Sequence, residues 1–224
     1  MHPKFSLILD FDSTLIKTES IEDLSKIVLD DKSQKTELLK KISDITNKAM
    51  SGEMSFEDSL HQRLSLLNVN KNHINQLSLQ VSKNFDNSFI RNLDFFESFM
   101  DDIYIVSGGF KKVIKYAFKS ISNKYWNIFA NDLEFIGNNM IGVDRINPLS
   151  RNFGKAELIK SMNLYGDIIV VGDGYTDYEI KKLNLAKYFL CYTKHIKRSE
   201  VIKHSDLVCD DFNQVVKFLD KRYF

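Results

Sequence analysis

Three short apolar runs, each broken off by acidic, hydroxyl or glycine residues, constrain this chain more than any other feature. They are Phe5-Ser6-Leu7-Ile8-Leu9 before Asp10, Ile103-Tyr104-Ile105-Val106 before Ser107-Gly108-Gly109, and Ile168-Ile169-Val170-Val171 before Gly172-Asp173-Gly174. Runs this short, rich in Ile and Val and without polar alternation, read as strands buried on both faces of a parallel sheet. Weaker runs at 126–130, 188–192 and 206–209 read as further strands. Helical spacing appears between them, through Phe110, Val113, Ile114 and Phe118 over 109–120 and Leu158, Ile159 and Met162 over 155–162. Alternating strand and helix predicts an α/β doubly wound core, whose ligands gather beyond the carboxyl ends of the strands. All three polar endings fall there.

The interval 18–86 breaks this alternation. It reads as consecutive helices over 20–30, 33–50, 55–67 and 72–85, and Ser20-x-x-Asp23 and Ser55-x-x-Asp58 resemble capping boxes with Asp in place of Glu. Several helices placed straight after the first strand exceed a simple crossover. They predict a helical, four-helix-bundle-like cap over the strand ends. The expected division is a discontinuous core, 1–16 and 87–224, with the cap over 17–86. The stretch 130–143, with Asn131, Asn138-Asn139 and Gly142, reads as a hairpin.

Composition narrows the partners. The chain of 224 residues is 43% hydrophobic and 27% charged, an ordinary globular profile. Lys+Arg (31) nearly balances Asp+Glu (30), a net charge of +1, so no bulk field exists to hold nucleic acid or an anionic membrane. No window approaches the roughly 20 apolar residues of a membrane span, and Met1-His2-Pro3-Lys4 lacks a signal-peptide apolar region. The expectation is a soluble cytoplasmic protein, with Cys191 and Cys209 as buried thiols. The basic cluster Lys194-His195-Ile196-Lys197-Arg198 is expected to be a solvated loop. His61 is assigned no role.

The polar endings carry chemistry only if they converge. In Asp10-Phe11-Asp12-Ser13-Thr14 an extended backbone would point both carboxylates the same way. At 4 Å two such charges repel by around 4 kcal/mol at an effective dielectric near 20, so a proton or a cation must compensate. Asp173 and Asp177 lie in Gly172-Asp173-Gly174-Tyr175-Thr176-Asp177; Ser107-Gly108-Gly109 offers a hydroxyl and backbone N–H groups to an anion; Gly154-Lys155 opens a helix with a cation. If the three strands are neighbours, four aspartates and Lys155 leave three net negative charges, which repel any phosphate. A divalent, oxygen-preferring cation and one proton bring the balance to zero. Carboxylates with few other ligands suit Mg²⁺.

In their order these segments resemble the four motifs of the haloacid dehalogenase superfamily of phosphohydrolases: Asp10-x-Asp12-x-Thr14, Ser107, Lys155, and Gly172-Asp173-Gly174-x-x-Asp177. The resemblance spans most of the chain and implies a Rossmann-like core with an inserted cap. It implies Asp10 as nucleophile, Asp12 as general acid and base, and Lys155 as a catalytic cation. It further implies Mg²⁺ held by Asp10, the Asp12 backbone carbonyl and Asp173, with Asp177 orienting bound water, and the phosphate held by Ser107, Gly108, Lys155 and Thr176. Many relatives carry Asn where this chain has Thr176, which leaves that contact open.

Within the superfamily the cap is similar to that of the phosphoserine phosphatase family, through Glu19, Ile45-Thr46-x-x-Ala49-Met50, Phe56-x-x-Ser59-Leu60 and Arg63-Leu64. The resemblance places Glu19 on a substrate ammonium, Arg63 on its carboxylate, and Met50 and Phe56 in the pocket wall. It implies hydrolysis of O-phospho-L-serine, a small phosphomonoester, by a monomer or homodimer. Two further readings stay open. The same site suits transfer of the phosphoryl group to a hydroxyl compound such as homoserine, or hydrolysis of another small phosphomonoester. A non-catalytic module of the same fold usually lacks a catalytic side chain, and none is missing here.

Overall fold

The computed structural model describes residues 5–30 and 34–224. Met1 to Lys4 and the expected helix start at Ser33 lie outside the described residues. In chain order the elements are β1 (Phe5–Leu9), α1 (Ser20–Val28), α2 (Lys35–Ser51), α3 (Phe56–Ser65), α4 (Lys71–Val81), α5 (Asn87–Arg91), α6 (Leu93–Ser98) and β2 (Ile103–Phe110). There follow α7 (Lys111–Ile121), β3 (Asn127–Asn131), β4 (Leu133–Ile136), β5 (Asn139–Val143), α8 (Gly154–Ser161), β6 (Asp167–Gly172) and α9 (Tyr175–Lys182). The chain ends with β7 (Tyr188–Tyr192), α10 (Ser199–Ile202), β8 (Leu207–Cys209) and α11 (Phe212–Tyr223).

Six strands form one parallel sheet in the order β3-β2-β1-β6-β7-β8. All five residues of β1 are buried, as a central strand covered on both faces requires. The order reverses at β1, with β2 on one side and β6 on the other, so the crevice of this α/β sheet opens at their carboxyl ends. The three strongest apolar runs are therefore the three adjacent central strands. β4 and β5 pair as the expected antiparallel hairpin.

Helices α1 to α4 all lie between β1 and β2, with α1 packed on α2 and α4, α2 on α3, and α4 on α7 of the core. Ile42, Leu60, Ile74 and Leu77 are fully buried. Ser55 caps α3, accepting from the Asp58 amide at 3.1 Å. The outgoing and returning chains run side by side where the insert joins the core. Ile16 bridges Phe85, Lys17 N–H donates to the Asn84 carbonyl at 3.0 Å, and Asp86 N–H donates to the Leu15 carbonyl at 2.8 Å.

Behind this junction Asp86 is fully buried and caps α5. Its carboxylate accepts from Ser88 and lies 3.0 Å from Lys194 Nζ and 2.8 Å from His195 Nε2. The basic cluster is thus only partly a solvated loop. Lys194 and His195 pair with Asp86, and Arg198 is buried. Cys191 and Cys209 are both free, buried thiols. Among the described residues no helix is long and apolar enough to cross a membrane.

Candidate active site

The Asp10 amide donates to the Val171 carbonyl at 2.9 Å, carrying the β1–β6 pairing one residue beyond the strand. Asp10 and Asp173 thereby meet at the crevice. Carboxylate oxygens of Asp10, Asp173 and Asp177 lie within 4.8 Å of one another, all buried. Asp177 reaches this cluster because β6 ends in glycine. A Cβ on Gly172 would lie 2.2 Å from the Asp177 carboxyl carbon. Lys155, at the start of α8, donates to Asp10 Oδ1 and to Asp177 Oδ1, each at 2.6 Å. Thr14 Oγ1 donates to Asp173 Oδ1 at 3.2 Å. An all-oxygen, buried and closely spaced donor set fits a hard divalent cation.

β1 stops at Leu9 and a turn follows Phe11: the Leu15 and Ile16 amides both donate to the Phe11 carbonyl, and Ser13 takes a left-handed φ of 52°. The Asp10 and Asp12 carboxylates both line one cavity. Ser20 does not cap α1, because Glu19 occupies the N-cap position. The Ser20 hydroxyl and amide both donate to Asp12 Oδ1.

Electrostatics separate these acids. Burial, with Glu19 and Asp10 adding repulsion, holds the Asp12 carboxyl well above the usual carboxylate range despite the Ser20 bonds. Asp173 is raised likewise, by burial and then Glu19, against the pull of Arg198. Asp177 is pushed up to about 7 by burial and the Asp10 charge, with Lys155 opposing. Burial disfavours the Lys155 ammonium, yet Asp10 and Asp177 together keep its pKa above the ordinary range. An Asp12 carboxyl biased toward its neutral form beside an ion-paired Asp10 carboxylate is an arrangement that can donate a proton next to a nucleophile.

One cavity is lined by Asp10, Asp12, Ser107, Gly108, Lys155, Asp173 and Thr176 from the core, and by Glu19, Met50, Phe56 and Arg63 from the insert side. Of the residues to which the resemblance gives a role, all but Asp177 line it, and Asp177 stands behind Lys155. The Phe56 ring closes on the β2 end, where a Cβ on Gly108 would lie 2.3 Å from it. Ser107 Oγ accepts from the Gly109 amide at 2.9 Å, so that N–H is already engaged. Arg63 is 2% exposed, its Nε donating to the Ser59 carbonyl and its Nη1 to Thr46 Oγ1, each at 3.2 Å. Burial pulls its pKa down, while Glu19, Asp12 and Glu22 pull it up. Glu19 Oε1 accepts from Ser13 at 2.8 Å. The free space is 30 Å³, room for a water or two but not for an amino acid, so entry requires the walls to part.

Two residues of the site were not legible in the sequence. Ser20 carried the signal of a helix cap. Arg198 carried that of a surface charge, yet its Nε donates to Asp173 Oδ2 at 3.1 Å. Arg198 also revises the charge count, cutting the three net negative charges to two.

No protein-family model matches the chain. It is 28% identical over 220 residues to the chloroplastic phosphoserine phosphatase of Arabidopsis thaliana, covering 96% of this chain and 72% of that protein. It is 28% identical to the phosphoserine phosphatase of Lactococcus lactis, covering 99% and 98%. The crystal structure of a phosphoserine phosphohydrolase-like protein from Francisella tularensis superposes with a TM-score of 0.84 at 29% identity, covering 98% of this chain and all of that one. The fold and these relatives identify a hydrolase of phosphoric monoesters, similar to phosphatases of the haloacid dehalogenase type. Within that class, the curated relatives to which the chain is similar over nearly its whole length are phosphoserine phosphatases.

Proposed function

We propose that this protein is a Mg²⁺-dependent phosphatase that hydrolyses O-phospho-L-serine to L-serine and phosphate, with 17–86 acting as its cap. One observation carries the reading. A single cavity is lined by the Asp10–Lys155 pair and Ser107 and also by Glu19 and Arg63. Phosphoserine presents the complementary groups: a phosphate at one end, an ammonium and a carboxylate at the other. Arg63 is suited to the carboxylate because a guanidinium pairs with it bidentately.

In the first step an Asp10 oxygen bonds to phosphorus while the bond from phosphorus to the serine oxygen breaks. Asp12, kept protonated by burial and its acidic neighbours, gives its proton to the departing oxygen. In the second step Asp12 takes a proton from water, the water oxygen bonds to phosphorus, and Asp10 is released together with phosphate. Ser107, the Gly108 N–H, Lys155 and Thr176 hold the phosphoryl oxygens as charge develops. Asp10, the Asp12 carbonyl and Asp173 would hold Mg²⁺, with Asp177 orienting bound water; when bound, the ion supplies positive charge to the phosphoryl oxygens. Met50 and Phe56 exclude bulk water from a labile acyl phosphate. A reaction that yields L-serine suits a step of L-serine biosynthesis. The reading includes a cytoplasmic location and a monomeric or homodimeric state.

The test is phosphate release from a panel of phosphomonoesters, with Mg²⁺ and with chelator, in the presence and absence of homoserine. Phosphoserine should be preferred, chelator should abolish turnover, and homoserine should leave phosphate release unchanged. Preference for an ester lacking both amine and carboxylate would overturn the assignment of Glu19 and Arg63.

A further inference from the structure

Arg198 lies behind the cavity wall, is 7% exposed, and holds three groups at once. Its Nε donates to Asp173 Oδ2 at 3.1 Å, its Nη1 to Asn47 Oδ1 at 3.1 Å, and its Nη2 to Glu19 Oε1 at 3.4 Å. Asp173 belongs to the carboxylate cluster of the core, whereas Asn47 lies on α2 and Glu19 precedes α1. One guanidinium therefore spans the joint between core and insert, and its core end is a carboxylate suited to a cation.

The segment carrying Arg198 is itself held down. Thr193 bonds the Cys209 carbonyl through both its amide and its hydroxyl, at 2.7 and 3.2 Å. Lys194 and His195 pair with Asp86, where the chain returns from the insert. From Thr193 to Arg198 the chain is thus fixed at β8, at the junction and at the insert. Arg198 cannot follow an opening insert without giving up bonds on one side.

We infer that Arg198 is a positioning residue that couples insert closure to cation affinity. Its fork of donors holds the insert shut through Asn47 and Glu19, while its charge, beside Asp173, repels a divalent cation. At these separations the charge term exceeds a lost orienting hydrogen bond. Removing Arg198 therefore tightens Mg²⁺ binding and loosens the insert, two changes of opposite benefit in one variant. A residue that only supports the fold would weaken both.

The inference rests on the phosphatase reading for the identity of the cation, but its test does not count turnover. Mg²⁺ alone is titrated calorimetrically into the full chain. Closure is read from the distance between nitroxide labels placed by Lys48→Cys and Glu200→Cys, both exposed positions. Arg198→Gln should bind Mg²⁺ at least about tenfold more tightly, with a broader and longer distance distribution. Arg198→Lys keeps the charge but loses the fork, so it should broaden the distances at near wild-type Mg²⁺ affinity. Asn47→Ala, at an exposed position that guards against a misfolded Arg198 variant, should do the same. Unchanged or weaker Mg²⁺ binding in Arg198→Gln, or an unaltered distance distribution in Asn47→Ala, overturns the inference. Either failure leaves phosphoserine hydrolysis standing, and failure to hydrolyse phosphoserine leaves both readouts interpretable.

Discussion

Ser20 donates both its hydroxyl and its backbone amide to the same oxygen of Asp12. These bonds favour the carboxylate form and are the main check on an acid that burial, Glu19 and Asp10 drive toward the neutral form. Ser20→Ala removes one bond, so the Asp12 pKa should rise further. The alkaline limb of the kcat profile then moves to higher pH, because Asp12 stays protonated longer as the acid of the first step. A limb that stays in place or moves down would show that Asp12 is not the titrating acid.

Asp10→Asn should lower kcat by about 10⁴-fold or more, the scale seen when a covalent nucleophile is removed. The fold should survive, since Lys155 keeps Asp177 as a partner at 2.6 Å. The Asp177 carboxyl should also titrate below its present value of about 7, because the Asp10 charge is one of the causes raising it. Carbon-detected NMR titration reads this directly, alongside single-turnover assays for residual phosphate release.

Arg63→Lys retains a cation but loses the fork that matches a carboxylate. KM for phosphoserine should rise about tenfold or more, the worth of a charged hydrogen bond. The kcat/KM for phosphoethanolamine, which has the amine but no carboxylate, should stay within a factor of two to three. Equal losses on both substrates would assign Arg63 to packing alone.

Asp86 ties the core to the returning chain. Burial alone would raise its pKa, but bonds from His195, Ser88 and Lys194 hold it far below the usual carboxylate range. A group depressed in the folded state stabilises above its unfolded pKa, about 3.9, and that contribution drains away as pH falls further. Asp86→Asn should cost about 3 kcal/mol at pH 7, or roughly 6–12 °C in Tm. Below about pH 4 the gap between the two melting curves should narrow progressively, by up to about 1.4 kcal/mol per pH unit. A gap of constant size between about pH 5 and about pH 2 would locate the effect in shape rather than charge.

The central sheet was legible because buried parallel strands leave a clear record: β1, β2 and β6 each carry a short aliphatic run that ends abruptly in acidic, hydroxyl or glycine residues. Their adjacency followed from the chemistry, since Asp10, Ser107, Lys155 and Asp173 are of use only when gathered. The pairing of Ser20 with Asp12 was hidden because a serine before an acidic turn is also the commonest way to start a helix. Arg198 was hidden for a different reason. Its partners, Glu19, Asn47 and Asp173, lie 179, 151 and 25 residues away, and nothing local marks an arginine that will be buried. α11 was readable and overlooked, since Phe212, Val215, Leu219 and Tyr223 recur at helical spacing and are all buried.

Only two chain crossings join the helical insert to the sheet, and they lie side by side at Ile16 and Phe85. A cut at these neighbouring points would lift out Glu19, Met50, Phe56 and Arg63 together, and with them Ser20 and its bonds to Asp12, while Asp10, Ser107, Lys155 and Asp173 stay on the core. One side of the cavity is thus a single cassette between two nearly coincident splice points.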